Sequence, residues 1–565
     1  MAEPLALVPP GAVLVAAAVV VALVDRRLGT VLGVAVAAAV TVWITLLPAG
    51  TYLQGDLFGF DVVLLHVDPL SRTVGAILAF LAAATVAYGH GTGASTRQLA
   101  LSLAYLGTGL LAAFAGDWLT LVLAWEALAV GATALLWMNS DAAATRAGLR
   151  YAIYHELGGL VLLAAVLVHL DQTGTLVFDG GLHAGLATTL GLLGIGLNVG
   201  FIGLHPWIVD SYPRPHVAAS VVLAACTTKV GVYALARAVP DGSVVVASLG
   251  GAMLVVGVTY AILQTDLRRL LSYHIVSQVG IMVAGIGVGT SLGVAGAIAH
   301  LVNNVLYKSL LFMVAGVIIV RTGESNLKHL GGLARPMPGT FGAFLVAALG
   351  ITGVPGFNGF VSKGMVFDAA EAAGFDLLWW LLVVGSVGTV VSFAKFGYYA
   401  FVRQGPERDV ADAGRSESIG LVALAIPCLA FGLAPGLQFA VLPGSTAAAK
   451  PFAPSQFAKA AAILGAGSVA FVLLKRSLSR VSGVPDLDAV YHPLGRWLLW
   501  TSTGAIGGLG RWLDTLVDDV AANVVRLSSP DGTGWMGWDG LADDVGAGVL
   551  LVVLSLVALL FVLII

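Results

Sequence analysis

The sequence has little charge and almost no cysteine. Only 10% of its 565 residues are Asp, Glu, Lys or Arg, against roughly a quarter in soluble proteins, whereas 58% are hydrophobic. The two cysteines, Cys226 and Cys428, both fall in apolar runs, and no CxxC pair or metal-ligand spacing is present. These absences exclude a soluble fold, a disulfide framework and a cysteine-bound redox cofactor. The sequence also lacks a nucleotide fingerprint and a P-loop, so we expect no cofactor, no metal and no enzyme.

Long apolar runs occupy most of the chain. Runs of about 17–22 residues recur from one end to the other, and about sixteen can be counted. A helix needs about 20 apolar residues to cross hydrocarbon, and inside a bilayer only helices or closed barrels satisfy the backbone. Barrel strands would alternate with a period of two, which these runs do not. The sequence therefore predicts an all-α polytopic membrane protein.

Basic residues alternate from one interhelical loop to the next. The loops after odd-numbered spans hold most of the arginines, and the other loops hold acids such as Asp56, Asp171 and Glu371. By the positive-inside rule the basic loops face the cytoplasm. The first run, residues 5–24, follows Glu3 rather than a basic segment, so we expect a true span and not a signal peptide. The pattern predicts a multi-pass protein of the cell membrane with an extracellular N-terminus.

Lysine is scarce, and half of it lies inside apolar spans. The chain has eight lysines, and four of them interrupt apolar runs: Lys229, Lys308, Lys363 and Lys395. A charge near the bilayer centre costs at least about 2.5–3.5 kcal/mol, so it persists mainly where it has a task or a partner. Lysine, unlike arginine, can lose its proton when buried. Snorkelling from a helix end is the alternative, and it fits Lys395 better than the others.

Acidic residues are rarer still inside the spans. Glu126 lies near the middle of span five, where a carboxylate is either a structural hydrogen-bonding group or half of an ion pair with a buried lysine. His155 and Glu156 lie close to the cytoplasmic start of span six. They are either interfacial anchors or functional groups, and the sequence favours neither interpretation.

A polar stripe runs along span eleven. His300, Asn304 and Lys308 follow one another at spacings of four residues, so they share one face of the helix. Such a stripe can hold water and relay protons, or it can join helices by hydrogen bonds. Histidine suits a relay because its ordinary pKa lies near neutrality, and we favour the relay.

Two spans contain helix-breaking residues. Span seven runs into GLHPWIVDSYPRP, and span twelve contains GITGVPGFNGFVSK. Proline and glycine inside an apolar run interrupt a helix, and broken spans at corresponding positions of two halves are typical of inverted-repeat transporters. Asn198 precedes Lys229 by 31 residues, and Lys363 precedes Lys395 by 32. The pattern therefore predicts two halves of opposite topology, offset by five spans.

Several segments resemble a known family. The antiporter-like subunits shared by respiratory complex I and Mrp-type Na⁺/H⁺ antiporters are similar to LHPWIVDSYPRPHVAASVVLAACTTKVGVYALAR, QTDLRRLLSYHIVSQVG, HLVNNVLYKSLLF, GGLARPMP and GVPGFNGFVSK. The resemblance covers about residues 60–440 in the correct order. YPRPH and SFAKFGYYAF are most similar to the D-type branch of the Mrp antiporter subunits, in the version found in halophilic archaea, so we expect a prokaryotic source.

The resemblance implies a fourteen-helix core with two inverted five-helix repeats. It would place spans one to three in residues 1–95, the first repeat in 96–240, the second in 241–403 and span fourteen in 404–440. Beyond it, residues 441–565 form an extension for which the sequence predicts a span at 457–474, an amphipathic helix at Arg511–Arg526 and a last span at 546–565. We favour interfacial anchoring over bracing of a neighbouring subunit for the amphipathic helix.

The family's ion path, carried over by position, consists of Glu126, Lys229, His300, Lys308 and Lys363. Asn198 stands where span seven of the family has its central lysine, and Asn304 where the relay helix often has a second histidine. Because asparagine cannot take up a proton, either Lys229 pairs directly with Glu126 or the first half-channel is altered. His205, near the cytoplasmic end of span seven, is a further candidate, and Lys395 would extend the path beyond Lys363.

Three hypotheses about function follow from these observations. The leading hypothesis is a proton- and cation-translocating subunit of an Mrp-type antiporter, whose partners are other subunits, the lipid bilayer, H⁺ and Na⁺, with no nucleic acid. The second is an antiporter-like subunit of a respiratory dehydrogenase, a membrane hydrogenase or a bicarbonate uptake complex. The third is a non-conducting scaffold, which the asparagine at position 198 favours.

Overall fold

The structure, a computed structural model, describes residues 8–57, 59–178 and 180–480. Nineteen α-helices and one two-stranded sheet make up this part of the chain. The amphipathic helix expected at 511–526 and the last span expected at 546–565 lie outside the described residues.

The helices are numbered in chain order. The part up to residue 240 holds α1 (Pro10–Leu23), α2 (Arg26–Leu46), α3 (Pro69–Gly91), α4 (Thr96–Phe114), α5 (Trp118–Trp137), α6 (Ala142–Thr173), α7 (Leu186–Val199), α8 (Pro206–Ser211), α9 (Val217–Ala225) and α10 (Thr227–Ala238). The remainder holds α11 (Val244–Leu263), α12 (Leu267–Val288), α13 (Ser291–Thr322), α14 (Pro338–Thr352), α15 (Asn358–Ala372), α16 (Asp376–Gly397), α17 (Arg415–Leu433), α18 (Pro435–Phe439) and α19 (Pro454–Arg480). One π-helical turn, Tyr398–Val402, continues α16.

The helices are those of a membrane protein. Within the described residues, eleven helical segments are long and apolar enough to cross a membrane, and α1, α7 and α14 are shorter apolar helices. The apolar stretches of α9–α10 and α12 are wholly buried, whereas those of α2 and α19 are mostly exposed. The all-α polytopic fold is therefore confirmed, with α9, α10 and α12 at its centre. The inverted relation of the two repeats and the domain boundaries stay predictions.

Aspartate side chains fix where many of the helices begin. Each accepts hydrogen bonds from backbone N–H groups of the first turn, which have no partner inside the helix. These N-cap residues stand before α2, α3, α5, α6 and α12: Asp25, Asp68, Asp117, Asp141 and Asp266. Part of the small acidic content of the chain is thus used at helix ends rather than inside the spans.

Both helix breaks expected from the sequence are present. Helix α7 ends at Val199, followed by Gly200 with φ 79°, and the chain resumes as α8 at Pro206. Helix α14 ends before Gly353, with φ 81°, and α15 follows. Both glycines adopt the left-handed conformation that ends helices and that residues with a Cβ rarely adopt. The sequence did not predict a third interruption, at Cys226 between α9 and α10.

A β-hairpin between α2 and α3 differs from the all-helical expectation. Strands β1 (Gly50–Leu57) and β2 (Phe60–Val67) pair antiparallel. The Val63 N–H donates to the carboxylate of Asp117 at 2.6 Å, and Asp117 also accepts from the Thr120 N–H at 2.7 Å. The hairpin is therefore tied to the first turn of α5. Two short apolar runs around a glycine carried the signal for it.

Asp68 joins the start of α3 to the end of α10. Its carboxylate accepts from the Ser71 N–H at 2.8 Å and lies 2.6 Å from the Arg237 guanidinium. Burial acts to raise the pKa of Asp68, but the charge of Arg237 and the Ser71 N–H outweigh it, so the pKa lies below its usual value. The ionised carboxylate consequently stabilises the fold.

We expect Asp68→Asn to lower the melting temperature of the detergent-solubilised protein by a few degrees at neutral pH. Because the pKa of Asp68 is lower in the folded protein than in the unfolded chain, its stabilisation is complete above about pH 4. It is lost as the pH falls further, through the folded-state pKa. Scanning fluorimetry of wild type and variant should therefore show a difference that shrinks in acid. Asp61→Asn, at an exposed residue of the same hairpin, is the control, and an equal effect there would contradict the prediction.

Candidate functional site: buried lysines and histidines

Five basic side chains lie together in the interior of the helix bundle. Lys229, His274, His300, Lys308 and Lys363 are each at most 5% exposed. Lys229 interacts electrostatically with Lys308 and His300, and Lys363 with His300 and His274. Lys308 and His274 also interact. We refer to these five residues as the central cluster; no described carboxylate forms an ion pair with any of them.

Backbone carbonyls at helix ends hold two lysines of the cluster. The Lys363 ammonium donates to the carbonyl of Ile351 at 2.7 Å, in the last turn of α14. The Lys229 ammonium donates to the carbonyl of Ala224 at 2.8 Å, in the last turn of α9. The last carbonyls of a helix lack partners within it and form the negative end of its dipole, so they stabilise a cation. The interruptions in spans eight and twelve therefore form the two lysine sites.

Lys395 is held in the same way but elsewhere. It is 3% exposed, and its ammonium donates to the carbonyls of Ile262 and Gln264, where α11 ends. Its electrostatic neighbour is Lys328, in a loop that the charge pattern assigns to the cytoplasm. The structure thus buries Lys395 apart from the central cluster, and its part in an ion path stays a prediction.

The polar stripe of α13 makes contacts with α15. One ring nitrogen of His300 lies 3.0 Å from the Ser362 hydroxyl, and the other lies 3.2 Å from the Tyr307 hydroxyl. Asn304 lies next to Tyr307, and its own amide makes no well-formed hydrogen bond to the described residues. His300 is therefore joined to hydroxyl groups at both nitrogens, as a relay requires.

Lys308 faces α12 and α16, where sequence reasoning missed a residue. Its ammonium donates to the carbonyl of Leu271 at 2.8 Å and lies 5.9 Å from the centre of the Phe393 ring. His274 of α12 packs against the same ring at 4.7 Å, and neither of its nitrogens is hydrogen-bonded to a described group. A histidine in the middle of the apolar run LLSYHIVSQVG was the available signal.

Glu126 lies on the outer face of α5. Leu123 and Val130, one turn away on either side, are 50% and 64% exposed. The Glu126 carboxylate lies beside that of Glu156 on α6, close enough for the two to interact. The structure therefore pairs Glu126 with a second acid on a surface that is otherwise apolar.

Two further contacts define the position of Glu126. It forms no ion pair with Lys229, so a direct pair between these two described residues is not what compensates for Asn198. Gly159 of α6 provides the space for the carboxylate, since a Cβ there would lie 1.6 Å from a Glu126 oxygen. The place of Glu126 depends on the absence of a side chain at residue 159.

Asn198 and His205 lie on the two sides of the first break. Asn198, in the last turn of α7, is 1% exposed and lies beside His155 of α6. His205, which precedes α8, is also 1% exposed, with its ring centre 6.5 Å from that of Tyr273. Both predicted residues are thus buried, but neither belongs to the central cluster.

A small cavity adjoins Lys363. Its volume is about 30 Å³, enough for about two water molecules, and residues of α15, α16 and α19 contribute to its lining. In α19, Gln456 and Lys459 bind the Asp368 carboxylate at 2.6 and 2.8 Å. The span expected at 457–474, which is part of α19, therefore lines the cavity at Lys363. Nothing in the sequence indicated this contact.

Residues 115–392 match the protein family described as NADH:quinone oxidoreductase/Mrp antiporter, transmembrane. The matched range contains all five members of the central cluster and Glu126. The chain belongs to this family.

Individual family members agree with the fold of this antiporter-like subunit. The D-type subunit of the Na⁺/H⁺ antiporter of Alkalihalophilus pseudofirmus is 29% identical over 377 residues, which are 63% of this chain and 74% of that protein. A chain of the Mrp complex from Dietzia sp. is 26% identical, with a TM-score of 0.77 over 96% of this chain and 65% of that one. A chain of Thermus thermophilus respiratory complex I shares the fold, with a TM-score of 0.69 at 23% identity over 81% of this chain and 98% of its own. The family resemblance inferred from the sequence is confirmed.

We expect Lys308→Met to raise the melting temperature of this subunit in detergent. The ammonium is buried without a carboxylate, and methionine fills a similar volume without the cost of burying a charge. Lys459→Met is the matched comparison: it removes a lysine paired with Asp368, so it should lower the melting temperature. Scanning fluorimetry at a common pH measures both variants. Equal falls would show that Lys308 stabilises the fold.

Proposed function

We propose that this chain is the proton- and cation-translocating subunit of a multi-subunit Mrp-type antiporter. The observation that carries the proposal is the central cluster, in which buried lysines and histidines lie close together and are held by carbonyls and hydroxyls. A lysine paired with a carboxylate would be fixed in its charged form. A lysine held by neutral groups can take up and release a proton, which is what conduction requires.

Protons would cross the cluster between Lys229 and Lys363. Two routes connect these ends: one passes through His300, and the other through Lys308 and His274. Hydroxyl groups and water molecules would bridge the remaining distances, since exchange along hydrogen bonds moves a proton without moving the side chains far. The cavity beside Lys363 offers such water a place at one end of both routes.

Sodium coupling and partner subunits are proposed by similarity. The relative from A. pseudofirmus is a subunit of an Na⁺/H⁺ antiporter, and the Dietzia chain is part of a complex. We extend both properties to this chain: exchange of cytoplasmic Na⁺ for external H⁺, within a hetero-oligomer in the cell membrane. The proposal includes the two inverted repeats and an N-terminus that faces outward.

A second candidate is a proton-pumping subunit in a redox-driven complex. The family description and the likeness to a complex I chain favour it. The two candidates differ in what drives the flux. An Mrp-type subunit should respond to added Na⁺ without a redox substrate, whereas a redox-driven subunit should respond only when an electron donor is oxidised.

We expect Lys363→Ala and Glu126→Ala to reduce Na⁺-dependent proton flux about a hundredfold, the low end for removing a positioned proton carrier. The assay uses inverted vesicles from antiporter-deficient cells that express the full chain with its partner subunits. A fluorescent dye reports the collapse of a pH gradient after Na⁺ is added. Lys450→Ala, at a loop lysine, is the control and should retain full flux. Unchanged flux in both site variants would identify the chain as a scaffold.

We also expect Gly159→Ala to reduce the flux, because the added methyl group occupies the place of the Glu126 carboxylate. Alanine favours the helix more than glycine, so α6 itself should be retained. Gly131→Ala on α5 is the control, since its methyl group would meet Tyr105 at an ordinary 3.5 Å. The same vesicle assay, normalised to the amount of protein in the membrane, measures both. Normal flux in Gly159→Ala would show that the position of Glu126 does not matter.

A further inference from the structure

The first half of the chain lacks a basic residue on α7. Asn198 is buried in the last turn of that helix, and its side-chain oxygen has no hydrogen-bond partner among the described residues. The amide cannot carry a proton, and Glu126 forms no ion pair with Lys229. A proton path through this half therefore needs another titratable group between these two residues.

His155 occupies that place from the neighbouring helix. It is 1% exposed, and the Asn198 amide lies against it. Its ring stacks on Tyr151, with 3.9 Å between ring centres, and meets the edge of Trp207 at 4.4 Å. Neither ring nitrogen makes a well-formed hydrogen bond to a described group. Buried polar atoms normally have a partner, so both nitrogens remain available to water or to a passing proton.

The neighbours of His155 lead toward both ends of the gap. On one side the next residue is Glu156, whose carboxylate lies beside that of Glu126. On the other side the Tyr151 hydroxyl lies 2.8 Å from the hydroxyl of Thr227, two residues before Lys229. The imidazole thus lies between a pair of acids and a pair of hydroxyls that borders the central cluster.

We propose that His155 carries protons between the Glu126–Glu156 pair and the hydroxyls of Tyr151 and Thr227, in place of a lysine on α7. A neutral imidazole accepts at one nitrogen and donates at the other. As an O–H bond of a carboxyl group breaks, an N–H bond forms on the near nitrogen, and the N–H bond on the far nitrogen releases its proton toward Lys229. This inference rests on the proposed function.

Few charges face His155 besides these partners. Helix α5 contributes Glu126, and α7 contributes no charged group. Arg150 and Asp210 form an ion pair between α6 and α8, so they contribute no net charge. Besides Glu156, the other titratable groups nearby are the Tyr151 phenol on α6 and the Lys229 ammonium on α10. The pH dependence of the flux should therefore respond to a change at residue 155.

The test is a loss and its rescue in the vesicle assay, with the full complex. We expect His155→Gln, which keeps a polar side chain, to lower the flux at least about tenfold as a missing proton carrier does. Adding Asn198→Lys should restore most of the flux, because the new lysine reaches the same place from α7. The flux of the double variant should be shifted to higher pH, since lysine titrates above histidine. His169→Gln, at a second buried histidine of α6, is the control and should leave the flux unchanged.

Three results would overturn the inference. Normal flux in His155→Gln, with Lys363→Ala inactive, would reject His155 as a carrier while leaving the proposed function intact. A loss that Asn198→Lys does not repair, in protein present at the wild-type amount, would assign His155 a structural role in packing against Tyr151 and Trp207. A wild-type complex that moves no protons under either Na⁺ or a redox drive would reject the proposed function and this inference with it.

Discussion

The structure depends on burying positive charge without placing negative charge beside it. Lys229, Lys308 and Lys363 are almost inaccessible, and each is held by a backbone carbonyl instead of a carboxylate. A buried cation without compensation is expensive, whereas a fixed ion pair would stop it from exchanging protons. Carbonyl groups offer an intermediate solution, because they stabilise an ammonium and remain acceptable neighbours of an amine. The conduction proposed here and the cost in stability have the same origin.

This constraint explains why the central spans are interrupted. A continuous helix uses nearly all of its carbonyls internally, so a lysine can find a free carbonyl only where a helix ends. Ile351 is near the end of α14, and Ala224 is near the end of α9. The left-handed Gly353 ends α14 just before the segment that presents Lys363. The broken helices thus provide ligands for cations in a part of the molecule where no other polar backbone is available.

The features that depend on neighbours along the chain could be predicted from the sequence. Hydropathy indicated the spans, and the scarcity of lysine singled out the four that the structure buries, while proline and glycine marked both breaks. The pairing of Glu126 with Glu156, the part of His274 and the contact of α19 with the cavity at Lys363 were not predictable, since each joins separate helices. The hairpin and the interruption at Cys226 were missed for another reason. Their local signals are weak beside the long apolar runs that surround them.

The acids and the bases of the proposed path separate along the molecule, and this separation follows from solvation. A carboxylate in the interior would pair with the nearest lysine, so Glu126 and Glu156 are kept at the outer face of α5 and α6. The group that connects them to the lysines then has to be neutral at rest and able to accept and donate protons. Histidine meets both conditions and lysine only the second. An asparagine on α7 beside a histidine on α6 is therefore a consistent exchange of one carrier for another.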